Sequence, residues 1–401
     1  MTDPVSGRPA ATATPPIPGG TIGTPELTVA PAPAVPSGWR ERLRAFRARH
    51  GREESISFFM GGFLFDAVMV GRIDETPMLL QQAAYLVITG LLLGAMLRFE
   101  LLELEPPRWL KWPWRYVEHA MHFMLGTLLN AFSLFYVKSG SGATAVLFLV
   151  LISLLLLINE HPRFHRLGPV VIFGLYSFSL TSYLAYLLPV LLGHLRAWMF
   201  FAASVLSLLP ILLLARLMAR WGEDSWRAFR QALGPAIGVQ TVLLLLFVAH
   251  LVPPVPLSVR SLGVWHGVER EGMEFKLSRL PRDRWPPQWR KDEQEFLARP
   301  GDRVFVFTRI FAPHNFRDQV SVRWAKWEPA RRAWTQSDAI PMRIVGGREE
   351  GFGGYAYKQN WSPGEWRVAI ETEDGREIGR TRFEIRPDPE TAERIFEVVR
   401  N

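Results

Sequence analysis

Two groups of polar residues have types and spacings that could support chemistry, and the first lies near the ends of two apolar runs. The segment VEHAMHF contains Glu118, His119 and His122, and the segment NEHPRFH contains Glu160 and His161. Residues three or four apart share one face of a helix. Imidazole and carboxylate groups arranged in this way could hold a divalent metal ion or relay protons. One interpretation is therefore a transporter or metal-dependent enzyme built on Glu118, His119, His122 and His161.

The competing interpretation is that these residues lie at a membrane interface. Charged groups cost less free energy there than at the bilayer centre, and Arg163 and Arg166 are near enough in sequence to pair with the carboxylates. The segments match no established metal-binding signature. We therefore predict no metal site and no cofactor. The residues that would have to bind a metal are His119, His122 and His161.

The second group lies in the C-terminal third, in and around the segment GFGGYAYKQNW. Aromatic rings beside cationic groups are typical of surfaces that bind sugars or peptides, and glycines let a partner approach the backbone. We predict a binding site formed by Arg348, Tyr355, Lys358 and Trp361. The alternative is that about half of the tryptophans in this third fill a core, as we expect for Trp366.

No catalytic pattern accompanies these groups. The sequence has no Ser-His-Asp ordering, no paired-carboxylate motif and no glycine-rich phosphate loop between a strand and a helix. It has no cysteine, which excludes disulfides and thiolate ligands. The net charge of +8 at pH 7 is spread along the chain, so no nucleic-acid-binding patch is predicted. We predict a protein that is not an enzyme.

Seven apolar runs must position the first group of residues. Each is close to the length of about 20 residues that crosses a bilayer as a helix. The runs cover residues 55–71, 78–97, 117–137, 143–159, 168–192, 197–218 and 235–253. We predict a membrane α-helical bundle of about seven transmembrane helices over residues 55–258.

The basic residues that flank these runs predict how the bundle lies in the membrane. Sixteen Arg and Lys residues lie on one side of the predicted bilayer, against three on the other, namely Arg72, Lys138 and Arg196. Connections rich in Arg and Lys stay in the cytoplasm. We therefore predict a bacterial inner-membrane protein with a cytoplasmic N-terminus and a periplasmic C-terminal domain.

The regions outside the bundle have distinct compositions. Residues 1–38 are rich in Pro, Ala and Thr and predict a disordered tail, and residues 39–54 predict a basic juxtamembrane helix. Residues 259–390 contain about eight runs of β-branched and aromatic residues, with an Asp-Gly turn, and predict an antiparallel, immunoglobulin-like all-β sandwich. In residues 391–401, apolar residues at helical spacing predict a short helix.

Several segments together resemble those of one known family. They include GGFLFDAVMVGRID, LLLLINEHPRF and VPPVPLSV in the apolar region, and VFVFTRIFAP, GGREEGFGGYAYK and GEWRVAIETEDGREIGRTRFEI in the polar region. With these segments the chain resembles a bacterial family of polytopic membrane proteins named for a C-terminal domain of unknown function 2914. The resemblance implies a polytopic membrane part joined to a β-rich outer domain. The family has no established activity that could assign a catalytic residue.

The function that these observations predict is non-enzymatic. We expect a multi-pass inner-membrane protein that displays a periplasmic β-sandwich as a binding or interaction module. Its predicted partners are the lipid bilayer and an envelope glycan or envelope protein, and nucleic acid is not among them.

Overall fold

The structure is a computed structural model that describes residues 76–160, 169–272, 274–281, 292–390 and 392–401. The predictions for residues 1–38, 39–54 and 55–71 lie outside these residues, as does the candidate ligand His161. Within the described part of the chain, a group of helices is followed by a β-rich region.

Six long helices form the first part of the described chain. They are α1 (Thr76–Leu101), α2 (Val117–Ser139), α3 (Ala143–Glu160), α4 (Pro169–Leu192), α5 (Ala197–Arg220) and α6 (Ser225–Val248), with a single helical turn at Lys111–Trp114 before α2. Five of them, all except α3, are long and apolar enough to cross a membrane, and α3 is a shorter apolar helix. These helices coincide with six of the seven predicted runs. The remaining run, residues 55–71, lies outside the described residues.

Helix α6 begins at Ser225 rather than at Pro235, where the predicted run starts. The side chain of Asp224 accepts a hydrogen bond from the backbone N–H of Arg227 (3.0 Å) and so caps the start of the helix. Pro235 is accommodated inside the helix. The predicted start was wrong because hydropathy detects the apolar part of a helix. It does not detect polar first turns, in which Arg227 and Arg230 remain exposed.

A cluster of polar side chains joins α4, α5 and α6 inside the bundle. The amide nitrogen of Gln240 lies 2.9 Å from Ser177 Oγ and 2.5 Å from Thr181 Oγ1. The Thr181 hydroxyl donates to Ser207 Oγ at 2.8 Å. All four side chains are buried. Because a buried polar group without a partner costs free energy in an apolar environment, these bonds allow the hydroxyl-rich face of α4 to lie inside the bundle.

The β-rich region contains eleven strands among the described residues. They are β1 (Ser258–Trp265), β2 (Gly267–Glu271), β3 (Glu274–Arg279), β4 (Glu295–Ala298), β5 (Val304–Phe311), β6 (Arg317–Glu328), β7 (Ala333–Val345), β8 (Phe352–Lys358), β9 (Gly364–Thr372), β10 (Glu377–Pro387) and β11 (Glu397–Arg400). In β9, Trp366, Val368 and Ile370 face inward and are buried. The expectation that Trp366 fills a core is therefore confirmed.

The strands form three sheets, with the orders β4-β10-β9-β6-β7, β1-β5-β8 and β11-β3-β2. The first two sheets pack face to face around one core that includes Val306, Trp324 and Trp366. The third sheet covers part of the other face of the β1-β5-β8 sheet, where Phe275 and Phe307 are in contact. The region is rich in β-sheet as predicted, but it has three layers because β5 is buried on both faces. One strand pair, β4 with β10, is parallel instead of antiparallel.

The C-terminal residues form a strand rather than the helix predicted over residues 391–401. Strand β11 pairs antiparallel with β3, so that Val398 and Val399 lie opposite Ser278 and Leu277. The spacing of apolar residues could not distinguish a helix from a strand in so short a segment. An isolated helix of about ten residues is only marginally stable, so contacts with distant residues decide which structure forms. The edge of β3 instead supplies hydrogen-bond partners for a segment of β-branched valines.

The connection between α4 and α5 lies against the β-rich region. The guanidinium of Arg196 lies 2.8 Å from Asp318 Oδ1 and 3.0 Å from Glu373 Oε2. Its neighbour Leu195 is buried in the core between the five-stranded sheet and the β1-β5-β8 sheet. A residue of the helical part thus completes the core of the β-rich part.

The ends of α2 and α6 contact the same end of the β-rich region. The Ser141 hydroxyl, just after α2, donates to Glu377 Oε1 at 2.5 Å. The guanidinium of Arg376 lies 5.0 Å from the centre of the Phe247 ring, in the last turn of α6. The two parts of the described chain are therefore joined by side-chain contacts and not only by the linker that precedes Ser258.

An ion-pair network fastens the C-terminal residues to the turn between β4 and β5. Asp388 accepts from Arg299 Nε (2.7 Å) and from Arg394 Nε (2.9 Å), and Arg394 also donates to Asp302 (2.6 Å). Burial raises the pKa of Asp388, but the backbone N–H of Glu390 and the two guanidinium groups lower it more, so that the pKa is about 2. The network therefore depends on the charged form of Asp388.

We expect this network to make stability depend on pH in the acid range. An unfolded Asp titrates near a pH of about 3.9, so the lowered pKa adds stability above about pH 4 that is lost as the pH falls toward about 2. In thermal melts of the full-length protein in detergent, Asp388→Asn should melt below wild type near neutral pH, with a difference that shrinks below about pH 4. Glu393→Gln, which neutralises an exposed carboxylate in the same segment, should melt like wild type. A difference for Asp388→Asn that stays constant down to about pH 2 would contradict this role.

Candidate binding surface of the β-rich region

Strand β8 determines which of the predicted binding residues reach the surface. It is an edge strand of the β1-β5-β8 sheet, and its side chains alternate between two faces. Ala356 and Lys358 are buried against the core, whereas Tyr355 and Tyr357 are exposed. Because successive residues of a strand point to opposite faces, Tyr355 and Lys358 do not belong to one surface.

The Lys358 side chain is buried, with 2% of its surface exposed. Its ammonium group donates to Ser337 Oγ (2.8 Å) and Asn360 Oδ1 (2.9 Å) and pairs with the carboxylate of Asp338. It also lies 5.3 Å from the centre of the Trp366 ring. The hydrogen bond from Lys358 lowers the pKa of Asp338. With these partners, Lys358 connects β7 to β8 at one side of the sandwich.

Trp361 and Arg348 lie at opposite ends of β8. Trp361 follows the strand and is half-buried against the sandwich core, where its Nε1–H donates to the carbonyl oxygen of Asp302 (2.7 Å). Arg348 precedes the strand, and its guanidinium lies 5.8 Å from the centre of the Phe352 ring. The four predicted residues are therefore spread over both faces and both ends of β8. The structure does not bring them together into one site.

The exposed face of β8 forms an aromatic surface with the neighbouring strand β5. Tyr355 and Tyr357 are 44% and 45% exposed, and the centre of the Phe305 ring lies 6.1 and 5.6 Å from the centres of their rings. The guanidinium of Arg303 lies 5.1 Å from the centre of the Tyr357 ring. We call Arg303, Phe305, Tyr355 and Tyr357 the β5–β8 aromatic surface. It combines flat rings with a cation, which is the chemistry expected for the predicted binding site.

The third sheet determines where this surface begins. Phe275 of β3 packs on Phe307 of β5, with ring centres 4.9 Å apart. A Cβ atom at Gly353 would lie 2.5 Å from the Phe275 ring, so only glycine lets β3 approach β8 at this point. Phe305, two residues from Phe307 on the same face of β5, is only partly covered. The exposed rings therefore start where the cover of the third sheet ends.

The sequence pattern pointed to Tyr355 but not to the other residues of this surface. Alternation within the segment FGGYAYK could have placed Tyr357 beside Tyr355 and Lys358 on the opposite face. The pairing of β5 with β8, which sets Phe305 opposite Tyr357, is a contact between distant segments. No local pattern in the sequence records it.

The structure describes only part of the predicted histidine and glutamate cluster. His122 Nδ1 lies 2.9 Å from Asn159 Oδ1, which joins α2 to α3. Glu118 and His119 are exposed, and His161 lies outside the described residues. Among the residues that the structure describes, no group of three or more His, Cys, Asp or Glu side chains could hold a metal ion.

Known proteins resemble this chain only in part, and no curated protein matches it. An immunoglobulin-like protein from Pseudomonas aeruginosa is similar at 11% identity over 33% of this chain and 98% of that chain, with a TM-score of 0.20. The Pseudomonas fluorescens alkylpurine DNA glycosylase AlkC, bound to DNA containing an abasic site analog, is similar at 11% identity over 68% of this chain and 77% of that chain, also with a TM-score of 0.20. Scores this low do not indicate a shared fold. Residues 317–385, from β6 into β10, match the family described as "Protein of unknown function (DUF2914)", which confirms in this segment the resemblance seen in the sequence.

Proposed function

We propose that the chain is a multi-pass inner-membrane protein that displays its β-rich region, an immunoglobulin-like module, in the periplasm for binding, without enzymatic activity. In this proposal the N-terminus is cytoplasmic, residues 55–71 form one further crossing, and the residues from Ser258 onward are periplasmic. The observation that carries the proposal is the position of the basic residues relative to the β-rich region.

Helices α2, α4 and α6 all end next to the β-rich region, through the contacts of Ser141, Arg196 and Phe247. Helices of this size are about 35 Å long, so their first residues lie at the other end of the bundle. Basic residues concentrate at that other end, at positions Arg98, Arg108, Lys111, Arg115, Arg216, Arg220, Arg227 and Arg230. Because connections rich in Arg and Lys stay in the cytoplasm, this distribution supports a periplasmic β-rich region.

The β5–β8 aromatic surface is the part of this region that we propose for binding an envelope glycan, with an envelope protein as the alternative ligand. Exposed aromatic rings beside a cation stack on and hydrogen-bond to sugar rings. Phe305 and Tyr357 lie toward the end of β5 and β8 that is remote from Ser258, the first strand residue after the helices. A partner can therefore reach these rings without meeting the bilayer.

Cysteine labelling tests the proposed sidedness. The chain has no cysteine, so one introduced thiol is the only group that a maleimide modifies readily. In intact spheroplasts, an impermeant maleimide should modify Ala333→Cys, an exposed position in β7. It should modify Ser37→Cys only after the membrane is permeabilised. The reverse pattern would refute the proposed orientation.

Removal of the exposed rings should weaken glycan binding and leave the fold intact. In full-length, detergent-solubilised protein, we expect the double variant Tyr355→Ser and Tyr357→Ser to co-sediment with purified peptidoglycan sacculi at least about tenfold more weakly, a loss of about 1.4 kcal/mol. Val345→Ser, which removes an exposed apolar side chain from another sheet, is the control and should bind like wild type. If the wild-type protein does not bind sacculi, or if the double tyrosine variant binds them as well as wild type does, peptidoglycan is not the ligand of this surface.

A further inference from the structure

The outer face of the five-stranded sheet carries a pair of tryptophans at the end remote from the helices. Trp327 of β6 and Trp334 of β7 lie directly opposite each other, with ring centres 5.4 Å apart and ring planes at 59°. Both side chains are half-buried. Asp318, which pairs with Arg196 of the helical bundle, lies at the other end of β6, about 30 Å away along the strand.

Two arginines cover the ring of Trp334. The guanidinium carbons of Arg367 in β9 and Arg382 in β10 lie 5.0 and 5.5 Å from its centre. The two arginines are themselves opposite each other in the pairing of β9 with β10. Within the part of the chain that the structure describes, no carboxylate oxygen lies within 4.0 Å of either guanidinium.

Other arginines on the same face are neutralised by acidic side chains. These ion pairs are Arg323 with Glu371, Arg380 with Glu377, and Arg386 with Glu384 and Glu295. Among the described residues, Arg367 and Arg382 form no such direct ion pair.

This arrangement leaves an electrostatic cost in the isolated protein. Like charges directly opposite each other on paired strands are destabilising. Burial lowers the pKa of Arg367 most, and the positive charges of Arg380 and Arg382 lower it further, whereas the carboxylates of Glu377 and Glu371 act in the opposite direction. A guanidinium nevertheless stays charged at neutral pH, so the repulsion persists. An anion that bridges the two arginines would remove it.

The free hydrogen-bond donors indicate the chemistry of that anion. Guanidinium groups already lie on the Trp334 ring, which leaves little of its face for a sugar to stack on. The in-plane N–H groups of Arg367 and Arg382 have no acceptor among the described residues, and a guanidinium fork matches a carboxylate in bidentate geometry. Arginine and tryptophan also dominate the binding energy of protein–protein contacts. A separation of about 30 Å from the helices places the headgroups of the same membrane out of reach.

We propose that Trp327, Trp334, Arg367 and Arg382 form a docking surface for an acidic segment of a partner protein, whose Asp or Glu carboxylates bridge the two guanidinium groups. This arginine–tryptophan surface lies on the opposite outer face of the sandwich from the β5–β8 aromatic surface. It does not require the aromatic surface to bind a glycan. All four residues lie within the segment 317–385 that matches the family.

Binding of a fluorescent oligoglutamate peptide to the full-length protein in nonionic detergent, followed by anisotropy, tests this proposal. Arg367→Gln and Arg382→Gln should each weaken binding at least about tenfold. Arg386→Gln makes the same charge change at an arginine that is already paired on the same face, and it should weaken binding less than about twofold. Without peptide, Arg382→Gln should melt at or above the wild-type temperature, because it removes a like-charge pair.

Four results would overturn the proposal. If Arg386→Gln and Arg382→Gln weaken peptide binding equally, the peptide is attracted by the net charge of the protein alone. Tighter binding of oligogalacturonate, which carries its carboxylates on sugar rings, would make the ligand a glycan instead of a protein. A lowered melting temperature of Arg382→Gln with unchanged peptide affinity would make the arginine purely structural. Failure of the wild-type protein to bind the peptide would remove the surface as an acidic-peptide site.

Discussion

The contact on which the rest of the structure depends is the ion pair between Arg196 and Asp318. The side chain of Asp318 is only 5% exposed, and it accepts from the backbone N–H of Leu195 (2.8 Å) as well as from Arg196. A buried carboxylate is tolerated only when it is paired and hydrogen-bonded, so the connection between α4 and α5 must lie at this position. Asp318 is near the start of β6, which pairs with both β7 and β9. The contact thus joins the connection between α4 and α5 to the central part of the five-stranded sheet.

The positions of both proposed binding surfaces follow from this attachment. The described helices meet the sandwich at one end of its strands, through Ser141, Arg196 and Phe247, and the aromatic residues of both surfaces lie toward the remote end. On one face, Tyr355 and Tyr357 leave rings exposed beside Phe305. On the other, Arg367 and Arg382 lie on the Trp334 ring and leave cationic donors exposed instead. We propose that one module can therefore hold two partners of different chemistry at the same time.

The sequence predicted the elements that depend on local periodicity and missed those that depend on distant pairing. The apolar runs located α1 to α6, although the polar first turns of α6 were not detectable, and β11 was predicted as a helix because its partner β3 is far away in sequence. Period-two alternation could assign Tyr355 to a face but could not identify β5 as the neighbouring strand. The Asp-Gly turn indicated that β9 pairs with β10. A β-bulge between Glu377 and Gly379 then shifts that register by one residue, which sets Arg367 opposite Arg382.

The proposed function makes two claims that can be tested together: that the β-rich region lies in the periplasm, and that it is docked on the helices beside Arg196. The test uses a protein that carries Ser141→Cys and Glu377→Cys, treated with a short, impermeant bis-maleimide in intact spheroplasts. In the wild type, Ser141 Oγ and Glu377 Oε1 are 2.5 Å apart, and the chain has no other thiol. We predict an intramolecular crosslink, identified by mass spectrometry, without permeabilisation of the membrane. The pair Ser141→Cys and Ala333→Cys, whose second thiol lies at the remote end of the sandwich, should give none. Crosslinking that requires permeabilisation, or equal crosslinking of the two pairs, would contradict the proposal.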